Sequence, residues 1–489
     1  MSDLKYPAPA KGTFGDEALL KVLERQRSCF IKEGPPSYKE RMAQLDKLMA
    51  LTRKNIDVII DAVVADYGSR SRHETMLTEL FLVATGTQYI QTHLKGWMKP
   101  QRRATSLVCQ LAKSRVLHQP LGVVGIISPW NYPFYLSFMP AVTALAAGNR
   151  VMLKPSRFTP NTAKCLSRLI GEMFSPDVAY VVEGGPGVGA SFASLPFDHI
   201  LFTGSPAVGS QVMRAASANL TPVTLELGGK SPVIIDKDFD LARAAEIVCT
   251  GKFFNSGQTC VAPDYLFIHK DKVNDFVGHF RNTVRKFYPT LKNNPDYTAI
   301  VNDHHYKRLV GVLAEAAERG ATLIEVNPAN ETLEPSGRKL APTLILNAPL
   351  DTALMTDEIF GPILPVIGYT DLDEALAYVN ARPRPLALYY CDDNNKRAEH
   401  VLSRTTSGGA GINITMLHGA QDDLPFGGVG YSGMGRWHAR EGFETLSNKK
   451  NVLYQGRPNA LFMMRPPYTN FLDKMVRFLI GKYGCWVLR

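Results

Sequence analysis

Cys260 has the residue type and the setting of a nucleophile. It ends the polar segment Asn-Ser-Gly-Gln-Thr-Cys at residues 255–260, whereas Cys165 and Cys249 lie within apolar helical patterns. A cysteine in an apolar pattern is ordinarily a structural core residue. A thiol in a polar turn can instead ionise and attack an electrophilic carbon. We therefore take Cys260 as the candidate nucleophile of this chain.

Glu226 is a carboxylate that could supply a general base. It lies near the carboxyl end of the predicted strand Val223–Leu227 and is followed closely by Gly228 and Gly229. A carboxylate at a strand end is ordinarily solvated or ion-paired. A partly desolvated position would raise its pKa toward the range in which a base works near neutral pH.

Two glycine-rich segments are candidates for binding phosphate. Residues 204–209, Gly-Ser-Pro-Ala-Val-Gly, end a predicted strand and open a helix, so backbone N–H groups and the Ser205 hydroxyl would face an anion. Lys154 adds a cation at the end of another predicted strand. Residues 185–190 match the looser GxGxxA dinucleotide pattern but lack its acidic partner about 20 residues on, so a plain glycine-rich turn is an equal alternative.

The elements that must position these residues alternate between short apolar runs and helical stretches. The first series contains apolar runs at 123–128, 151–154, 178–183, 199–203 and 223–227, with helical candidates between them. Such alternation favours a parallel, doubly wound sheet, in which ligands bind beyond the carboxyl ends of the strands. A second series from Pro232 predicts another α/β domain. Helical spacing from Glu17 to Ile90 predicts a helical opening, and residues 106–120 an extended ribbon.

Composition excludes several classes of protein. The chain has 489 residues, 45% hydrophobic and 20% charged, which suggests two or three domains. Its net charge of +10 is scattered along the chain, so we expect no nucleic-acid partner. Seven cysteines without a CxxC pair, no apolar signal at the start and no run of 18 apolar residues predict a soluble, cytoplasmic protein. His304 and His305 lack a third spaced ligand, so we interpret them as a loop pair and expect no metal.

Several segments occur together in the order of one enzyme family. They are Pro-Trp-Asn-Tyr-Pro (129–133), Phe-Thr-Gly-Ser (202–205), Glu-Leu-Gly-Gly-Lys (226–230), Gly-Gln-Thr-Cys (257–260) and Glu-Ile-Phe-Gly-Pro (358–362). Together they resemble the aldehyde dehydrogenase superfamily, over about residues 20 to 455. Residues 260–265 and 424–430 are similar to its class 3 branch, and residues 420–426 most resemble the coniferyl aldehyde dehydrogenase subfamily.

The resemblance implies how the candidate residues act. An aldehyde cannot deliver hydride until it becomes tetrahedral, and a thiolate achieves this by forming a thiohemiacetal. Cys260 would be that thiolate, and Glu226 the base that promotes hydrolysis of the resulting thioester. The Asn131 side chain and the Cys260 backbone N–H would form the oxyanion hole. Without the family match, Asn131 would be interpreted as a turn residue.

The resemblance also implies NAD or NADP as cofactor. The residues expected to hold it are Trp130, Lys154, Arg157, Gly204, Ser205, Gly209, Leu227, Glu358 and Phe360. Among these, Glu358 would hold the nicotinamide ribose and Phe360 would pack near the nicotinamide. Taken alone, these two residues would be interpreted as a loop carboxylate and a core aromatic.

Arg157 departs from the pattern of many relatives. They have a glutamate there that accepts hydrogen bonds from the adenosine ribose, whereas this chain reads Lys-Pro-Ser-Arg at 154–157. Replacing a carboxylate by a guanidinium removes repulsion toward a 2′-phosphate and could bind it. Use of NADP, alone or beside NAD, is one interpretation, and a solvent-exposed Arg157 without a role is the other.

The resemblance predicts the aldehyde dehydrogenase fold: a Rossmann-like cofactor domain, an α/β catalytic domain and a small β ribbon for oligomerisation. We divide the chain into an NAD(P)-binding domain (1–105 and 121–226), a catalytic domain (227–420), an oligomerisation ribbon (106–120 and 440–456) and an amphipathic tail (457–489). A homodimer is expected. The tail helix, near Asn470 to Gly481, is too short to span a bilayer, so it packs on protein or contacts a membrane surface.

The same residues bear on other enzyme classes and on the type of substrate. A thiol hydrolase would need a histidine base, and no histidine lies in a motif with Cys260. The presence of Glu226 favours hydrolysis over transfer of the acyl group to coenzyme A. The presence of Cys260, Glu226 and Asn131 together argues against a non-catalytic protein. Aromatic residues near the motifs predict an apolar substrate tunnel for an aromatic or medium-chain aldehyde: Trp130, Tyr132, Phe134 and Phe254.

Overall fold

The computed structural model describes residues 17–106, 109, 111–457, 459 and 463–484. Two compact units emerge. The larger consists of the chain up to Lys95 and of Pro120–Ser447, and the smaller of Gly96–Gln119 and the chain from Asn448 onward. Both candidate catalytic segments fall within the larger unit.

The described part of the chain starts with helices, as the spacing of apolar residues predicts. They are α1 (Glu17–Glu33), α2 (Tyr38–Lys54), α3 (Ile56–Tyr67), α4 (Arg72–Thr75), a π-helical turn (Met76–Phe81) and α5 (Leu82–Trp97). Ser37 and Glu40 form a reciprocal capping box that starts α2. Strands β1 (Gln101–Arg103) and β2 (Lys113–Pro120) follow.

The first sheet arises from strict alternation of strands and helices. Its elements are β3 (Val123–Ile127), α6 (Tyr135–Ala146), β4 (Arg150–Lys154), α7 (Pro160–Met173), β5 (Ala179–Val181), α8 (Pro186–Ala193), β6 (His199–Thr203), α9 (Pro206–Ser217) and β7 (Val223–Glu226). The strand order is β7-β6-β3-β4-β5, all parallel, and a short antiparallel strand, β15 (Gly433–Met434), borders β7. Strand β4 is buried along its whole length, as expected of a sheet covered on both faces.

Register brings the candidate residues to one edge of this sheet. Ile127 of β3 aligns with Lys154 of β4 and with Phe202 of β6. Thr203 of β6 aligns with Glu226 of β7. The strand ends that carry Lys154, Thr203 and Glu226 therefore share the carboxyl edge of the parallel sheet, where ligands bind in this kind of fold.

The second sheet contains seven strands. Its elements are β8 (Pro232–Ile235), α10 (Leu241–Phe253), β9 (Tyr265–His269), α11 (Val273–Phe287), α12 (Asp303–Glu318), β10 (Thr322–Glu325), β11 (Thr343–Leu346), α13 (Ala353–Thr356), β12 (Ile363–Tyr369), α14 (Leu372–Asn380), β13 (Ala387–Cys391), α15 (Asn395–Arg404) and β14 (Gly409–Ile412). The order is β10-β11-β12-β9-β8-β13-β14, with only β10 antiparallel to its neighbour among these described strands. The predicted second α/β half is thus present.

The chain ends with β15 (Gly433–Met434), α16 (Ala439–Thr445), β16 (Ser447–Tyr454) and α17 (Asn470–Gly484). Strands β1, β2 and β16 form a three-stranded sheet in the smaller unit. Residues 439–445, most of which we assigned to the ribbon, are helical instead, because Ala439, Gly442 and Phe443 bury one helical face. Leu107 and Val108 of the predicted ribbon, and residues 458, 460–462 and 485–489 of the tail, lie outside the described residues. Within the described part of the chain, no helix has the length and apolar character needed to cross a membrane.

Candidate active site

Cys260 lies where two cavities meet. One, of about 780 Å³, is lined by Gly204, Gly228 and Gly229, and we call it the glycine-lined cavity. The other, of about 750 Å³, is lined by a set of aromatic and aliphatic side chains, and we call it the aromatic cavity. Both cavities share the lining residues Thr203, Glu226, Leu227 and Cys260. A molecule in either cavity can therefore reach the thiol.

The backbone just before Cys260 follows an unusual path. Asn255, Ser256 and Gly257 all have left-handed φ angles of 50°, 50° and 74°. A Cβ on Gly257 would lie 2.3 Å from the carbonyl oxygen of Gly361, so only glycine is accommodated there. Left-handed conformations cost a non-glycine residue about 1–2 kcal/mol each, so this turn persists only because surrounding contacts hold it.

Buried hydrogen bonds hold the turn in place. The Glu74 carboxylate accepts a bond from the Asn255 backbone N–H at 3.1 Å. The Asn255 side chain donates to the carbonyl oxygens of Asn131 and Gln258, at 3.1 and 3.2 Å. The Tyr132 and Thr259 hydroxyls are 2.6 Å apart. These contacts tie the turn before Cys260 to the segment that carries Asn131.

Asn131 is buried and its backbone is fixed by several donors. Its carbonyl oxygen accepts hydrogen bonds from the Tyr67 hydroxyl at 3.1 Å and from the Arg70 guanidinium at 2.8 Å, in addition to the Asn255 amide. Arg70 is itself fully buried and forms an ion pair with Glu79 at 3.1 Å. Asn131 lines the glycine-lined cavity together with Cys260.

The pKa of the Cys260 thiol is raised to about 12, first by burial and then by the nearby carboxylates of Glu358 and Glu226. The thiol is therefore protonated at neutral pH in the protein alone. A nucleophile of this kind needs a group that takes its proton, or a change in the local charge, before it attacks.

Glu226 supplies a carboxyl group at the same junction. It is 2% exposed, and neither carboxylate oxygen has a hydrogen-bond partner among the described residues. Burial raises its pKa well above the usual value, and the guanidinium of Arg436 opposes this rise. A Cβ on Gly427 would lie 2.8 Å from one Glu226 oxygen, so the backbone there packs close to the carboxyl. A carboxyl group in this position could accept or donate a proton at the junction.

The glycine-lined cavity has the features of a nucleotide site. Gly204, Ser205, Pro206 and Ala207 line it at the start of α9, so the helix N-terminus faces the cavity. The Ser205 hydroxyl accepts the Val208 N–H at 3.4 Å and remains able to donate its own proton. The buried Thr203 hydroxyl oxygen at the junction has no partner among the described residues. This cavity thus offers donors and space to a phosphate-bearing cofactor.

Glu358, Phe360 and Trp130 line the same cavity. The Glu358 carboxylate accepts the Gly229 N–H at 3.1 Å and packs against Gly228, where a Cβ would lie 2.0 Å from it. Burial, then the charge of Asp264, raises the Glu358 pKa to about 8. The rings of Phe360 and Trp130 are 5.3 Å apart, edge to face.

His305 was missed by sequence reasoning. The interpretation of His304 and His305 as a loop pair is wrong, since both lie in the first turn of α12. The His305 ring lies 4.8 Å from that of Trp130 and lines the glycine-lined cavity. Burial, then Arg308 and His304, lowers its pKa to about 4, so it is neutral. Only its spatial contact with Trp130 identifies it, and nothing in the local sequence does.

Three expected cofactor residues do not line this cavity. Gly209 lies one turn into α9, where a Cβ would come 2.5 Å from Leu227, so it allows the helix to pack closely on the sheet. Lys154 is buried, its ammonium donates to the Pro155 carbonyl at 2.8 Å, and burial lowers its pKa. Arg157 is exposed, with its guanidinium 4.7 Å from the Phe158 ring.

The alternative glycine motif falls elsewhere. The segment 185–190 opens α8, and none of its residues is among those that line either of the two cavities at Cys260. A Cβ on Gly185, Gly187 or Gly189 would meet nothing within 4 Å. Residues 186–190 thus form the start of a helix rather than a plain glycine-rich turn, and the helix N-terminus that lines the same cavity as Cys260 lies at residues 204–207.

The residues that line the aromatic cavity differ in part from those expected to line the substrate tunnel. Tyr132 and Phe254 line it, but Trp130 lines the glycine-lined cavity and Phe134 is fully buried against Phe138. The aromatic side chains that sequence reasoning missed come from separate parts of the chain: Phe81, Tyr135, Phe426 and Trp437. Exposed Leu77, Phe81 and Leu417 among the lining residues give it an apolar rim.

A doubly wound nucleotide-binding sheet, a thiol and a buried carboxyl between two cavities define a dehydrogenase that works through a cysteine. The chain belongs to the aldehyde dehydrogenase family, whose sequence model matches residues 34–452. It is an NAD(P)-dependent enzyme that oxidises an aldehyde to the carboxylic acid. The resemblance found in the sequence motifs is confirmed.

The similar proteins also support the assignment to the class 3 branch of the family. The "probable coniferyl aldehyde dehydrogenase" of Pseudomonas aeruginosa is 48% identical over 455 residues, covering 93% of this chain and 94% of that protein. "Aldehyde dehydrogenase family 3 member B3" of Mus musculus is 36% identical over 99% of each chain. The solved structure "Substrate bound state of Staphylococcus aureus AldH" matches with a TM-score of 0.89 and 37% identity, covering 94% of this chain and 99% of that one. The expected class 3 branch and fold are confirmed.

The buried Arg70–Glu79 pair predicts a large stability effect. In Arg70→Met, Glu79 keeps its place but loses its cation, so the free energy of unfolding should fall by about 3–5 kcal/mol. Arg72→Met is the matched control, because Arg72 is exposed and pairs with exposed Asp57 and Asp61; it should cost about 1 kcal/mol or less. Chemical denaturation followed by tryptophan fluorescence measures both. Equal losses in the two variants would show that the buried pair does not hold the site.

Proposed function

We propose that this enzyme oxidises aromatic aldehydes, with coniferyl aldehyde as the type of substrate, through a thiohemiacetal and a thioester on Cys260. The observation that carries the proposal is the position of Cys260 at the junction of the two cavities. The aromatic cavity offers flat apolar walls to an aryl group, and a relative at 48% identity is named for coniferyl aldehyde. A medium-chain apolar aldehyde is the alternative substrate.

Cys260 makes and breaks the bonds to the substrate. Its sulfur attacks the carbonyl carbon, the C–S bond forms, and the carbonyl oxygen becomes an oxyanion. We assign the Asn131 side chain and the Cys260 backbone N–H as the donors that stabilise this oxyanion. Bound NAD(P)⁺ supplies the acceptor for the hydride that leaves the tetrahedral carbon. The thioester that remains has its acyl carbon bonded to the Cys260 sulfur.

Glu226 acts as the base in this proposal. Its raised pKa makes the Glu226 carboxylate a stronger base, and neither of its oxygens has a hydrogen-bond partner in the described structure. It accepts the proton of the water that attacks the thioester, the C–S bond breaks, and the acid leaves. The Cys260 thiol must also lose its proton before attack, because its pKa is raised to about 12; in this proposal that proton goes to solvent once the positive charge of the bound cofactor opposes the effect of the two carboxylates.

We assign the cofactor to the glycine-lined cavity. Gly204 and Ser205 would face a phosphate at the N-terminus of α9, and Glu358 would accept hydrogen bonds from a ribose. Phe360, Trp130 and Leu227 would give apolar contacts, and Gly209 would keep α9 close to Leu227. Lys154 and Arg157 would act at the adjacent strand end, outside the lining of the cavity itself.

We also propose a cytoplasmic homodimer, with the β1-β2-β16 sheet as the contact. The six described cysteines are all free, which supports a reducing compartment. Helix α17 exposes Phe471, Phe478 and Ile480, so a partner subunit or, as the alternative, a membrane surface would cover them.

The oxyanion role predicts the behaviour of Asn131→Ala. Removing one donor from an oxyanion hole lowers kcat by about 100-fold or more, because the developing negative charge loses a preorganised partner. Cofactor affinity, measured by fluorescence titration, should not change. Asn219→Ala is the control, since Asn219 donates to the Ser194 carbonyl outside both cavities, and it should keep full turnover. Unchanged turnover in a folded Asn131→Ala enzyme would remove Asn131 from the mechanism.

The Arg157 interpretation predicts a change of cofactor preference. Arg157→Glu replaces a cation by an anion beside the expected 2′-phosphate, so the ratio of kcat/KM for NADP to that for NAD should fall about tenfold or more. Arg168→Glu, on the exposed face of α7, should leave this ratio unchanged. If both variants keep the wild-type ratio, Arg157 does not read the cofactor.

A further inference from the structure

Asp422 is an unusual side chain in the aromatic cavity. Three carboxylates line this cavity: Glu226, Glu246 and Asp422. Glu226 belongs to the junction with the thiol, and Glu246 is exposed and pairs with Lys286 at 2.9 Å. Asp422 is partly buried, and within the described residues no cation or hydrogen-bond donor affects the pKa of its carboxylate. It is therefore a hydrogen-bond acceptor without an internal partner in an otherwise largely apolar wall.

The surroundings of Asp422 leave room for its carboxylate and offer it little polarity. A Cβ on Gly86 would lie 3.1 Å from one Asp422 oxygen, so the absence of a side chain there admits the carboxylate. Tyr135 lies close enough to Asp422 for the charge of Asp422 to raise its pKa, and the Tyr135 hydroxyl is 3.5 Å from the Nε2 atom of His438. Burial lowers the pKa of His438 to about 3, so this histidine is neutral and supplies no positive charge. Burial alone raises the pKa of Asp422.

We propose that Asp422 determines substrate specificity by accepting a hydrogen bond from a phenolic hydroxyl on the aromatic aldehyde. The preferred substrates are then aryl aldehydes with a hydroxyl on the ring, remote from the aldehyde group. This inference rests on the proposed function, because it assumes that the aromatic cavity holds the aryl group while Cys260 attacks the aldehyde.

The expected preference for hydroxylated substrates arises from the free energy of leaving the Asp422 carboxylate without a hydrogen-bond donor. When an apolar ring fills the cavity, water leaves and the carboxylate loses its remaining hydrogen bonds, which costs free energy. A phenolic O–H restores one strong, charge-assisted bond and removes that cost. A pocket that hydrogen-bonds a substrate hydroxyl rejects the analogue without it far better than an apolar pocket rejects a change of size. Asp422 thus supplies discrimination that the aromatic walls cannot.

The test compares 4-hydroxycinnamaldehyde with unsubstituted cinnamaldehyde in the full-length enzyme. For the wild type, the ratio of kcat/KM for the hydroxylated to the unsubstituted aldehyde should be well above one. Asp422→Leu should lower this ratio about tenfold or more, mainly through a higher KM for the hydroxylated aldehyde, while cinnamaldehyde oxidation is retained. Asp422→Asn, which keeps a neutral acceptor, should give an intermediate ratio.

Asp423→Asn is the matched control. The Asp423 carboxylate is exposed and accepts the Tyr89 hydroxyl, and it is not among the residues lining the aromatic cavity. In Asp423→Asn, the ratio of kcat/KM for the hydroxylated to the unsubstituted aldehyde should equal that of the wild type. A wild-type ratio near one, or an unchanged ratio in Asp422→Leu, overturns the role of Asp422 and leaves the aromatic substrate class in place. Failure of the wild type to oxidise either aldehyde overturns the substrate class itself, and the role of Asp422 with it.

Discussion

The buried guanidinium of Arg70 connects the helical opening of the chain to both catalytic segments. It pairs with Glu79, whose carboxylate also accepts the backbone N–H groups of Phe134 and Tyr135 at 2.8 and 2.9 Å. It donates to the Asn131 carbonyl, which the Asn255 side chain also reaches. Since a buried charge is costly unless it is paired and hydrogen-bonded, this network has few alternative arrangements. The strained turn before Cys260 can therefore be held in one position relative to Asn131.

Desolvation then sets the chemistry of the junction. Burial is the first cause of the raised pKa at Cys260, Glu226 and Glu358. The carboxylates of Glu358 and Glu226 also oppose ionisation of the Cys260 thiol. Burial thus favours the neutral form of each group, and a ligand that changes the local charge or displaces water alters that balance. Exclusion of water and control of proton position thus arise from the same packing.

Features that depend on local pattern could be predicted from the sequence. Strand and helix alternate with little interruption from Val123 to Glu226, so the doubly wound sheet and the strand-end positions of Glu226 and Gly204 follow from periodicity and glycine placement. Residues that act through tertiary contacts carry no such signal. Arg70 and Glu79 lie in ordinary helical sequence, and His305 reaches Trp130 only because α12 packs beside the cavity. The two histidines were mistaken for a loop, although Asn302 is of a residue type that caps helices and Asp303 adds an acidic first turn.

The central claim is that the substrate becomes covalently bound to Cys260 and is released with Glu226 as base. Mass spectrometry of Glu226→Gln, mixed with excess aromatic aldehyde and NAD(P)⁺, tests it most directly. The account predicts a protein heavier by the aldehyde less its two transferred hydrogens, with the acyl group on the peptide that contains Cys260, and no such adduct in Cys260→Ala. An acyl group on another residue, or sustained turnover by Cys260→Ala, would contradict the account.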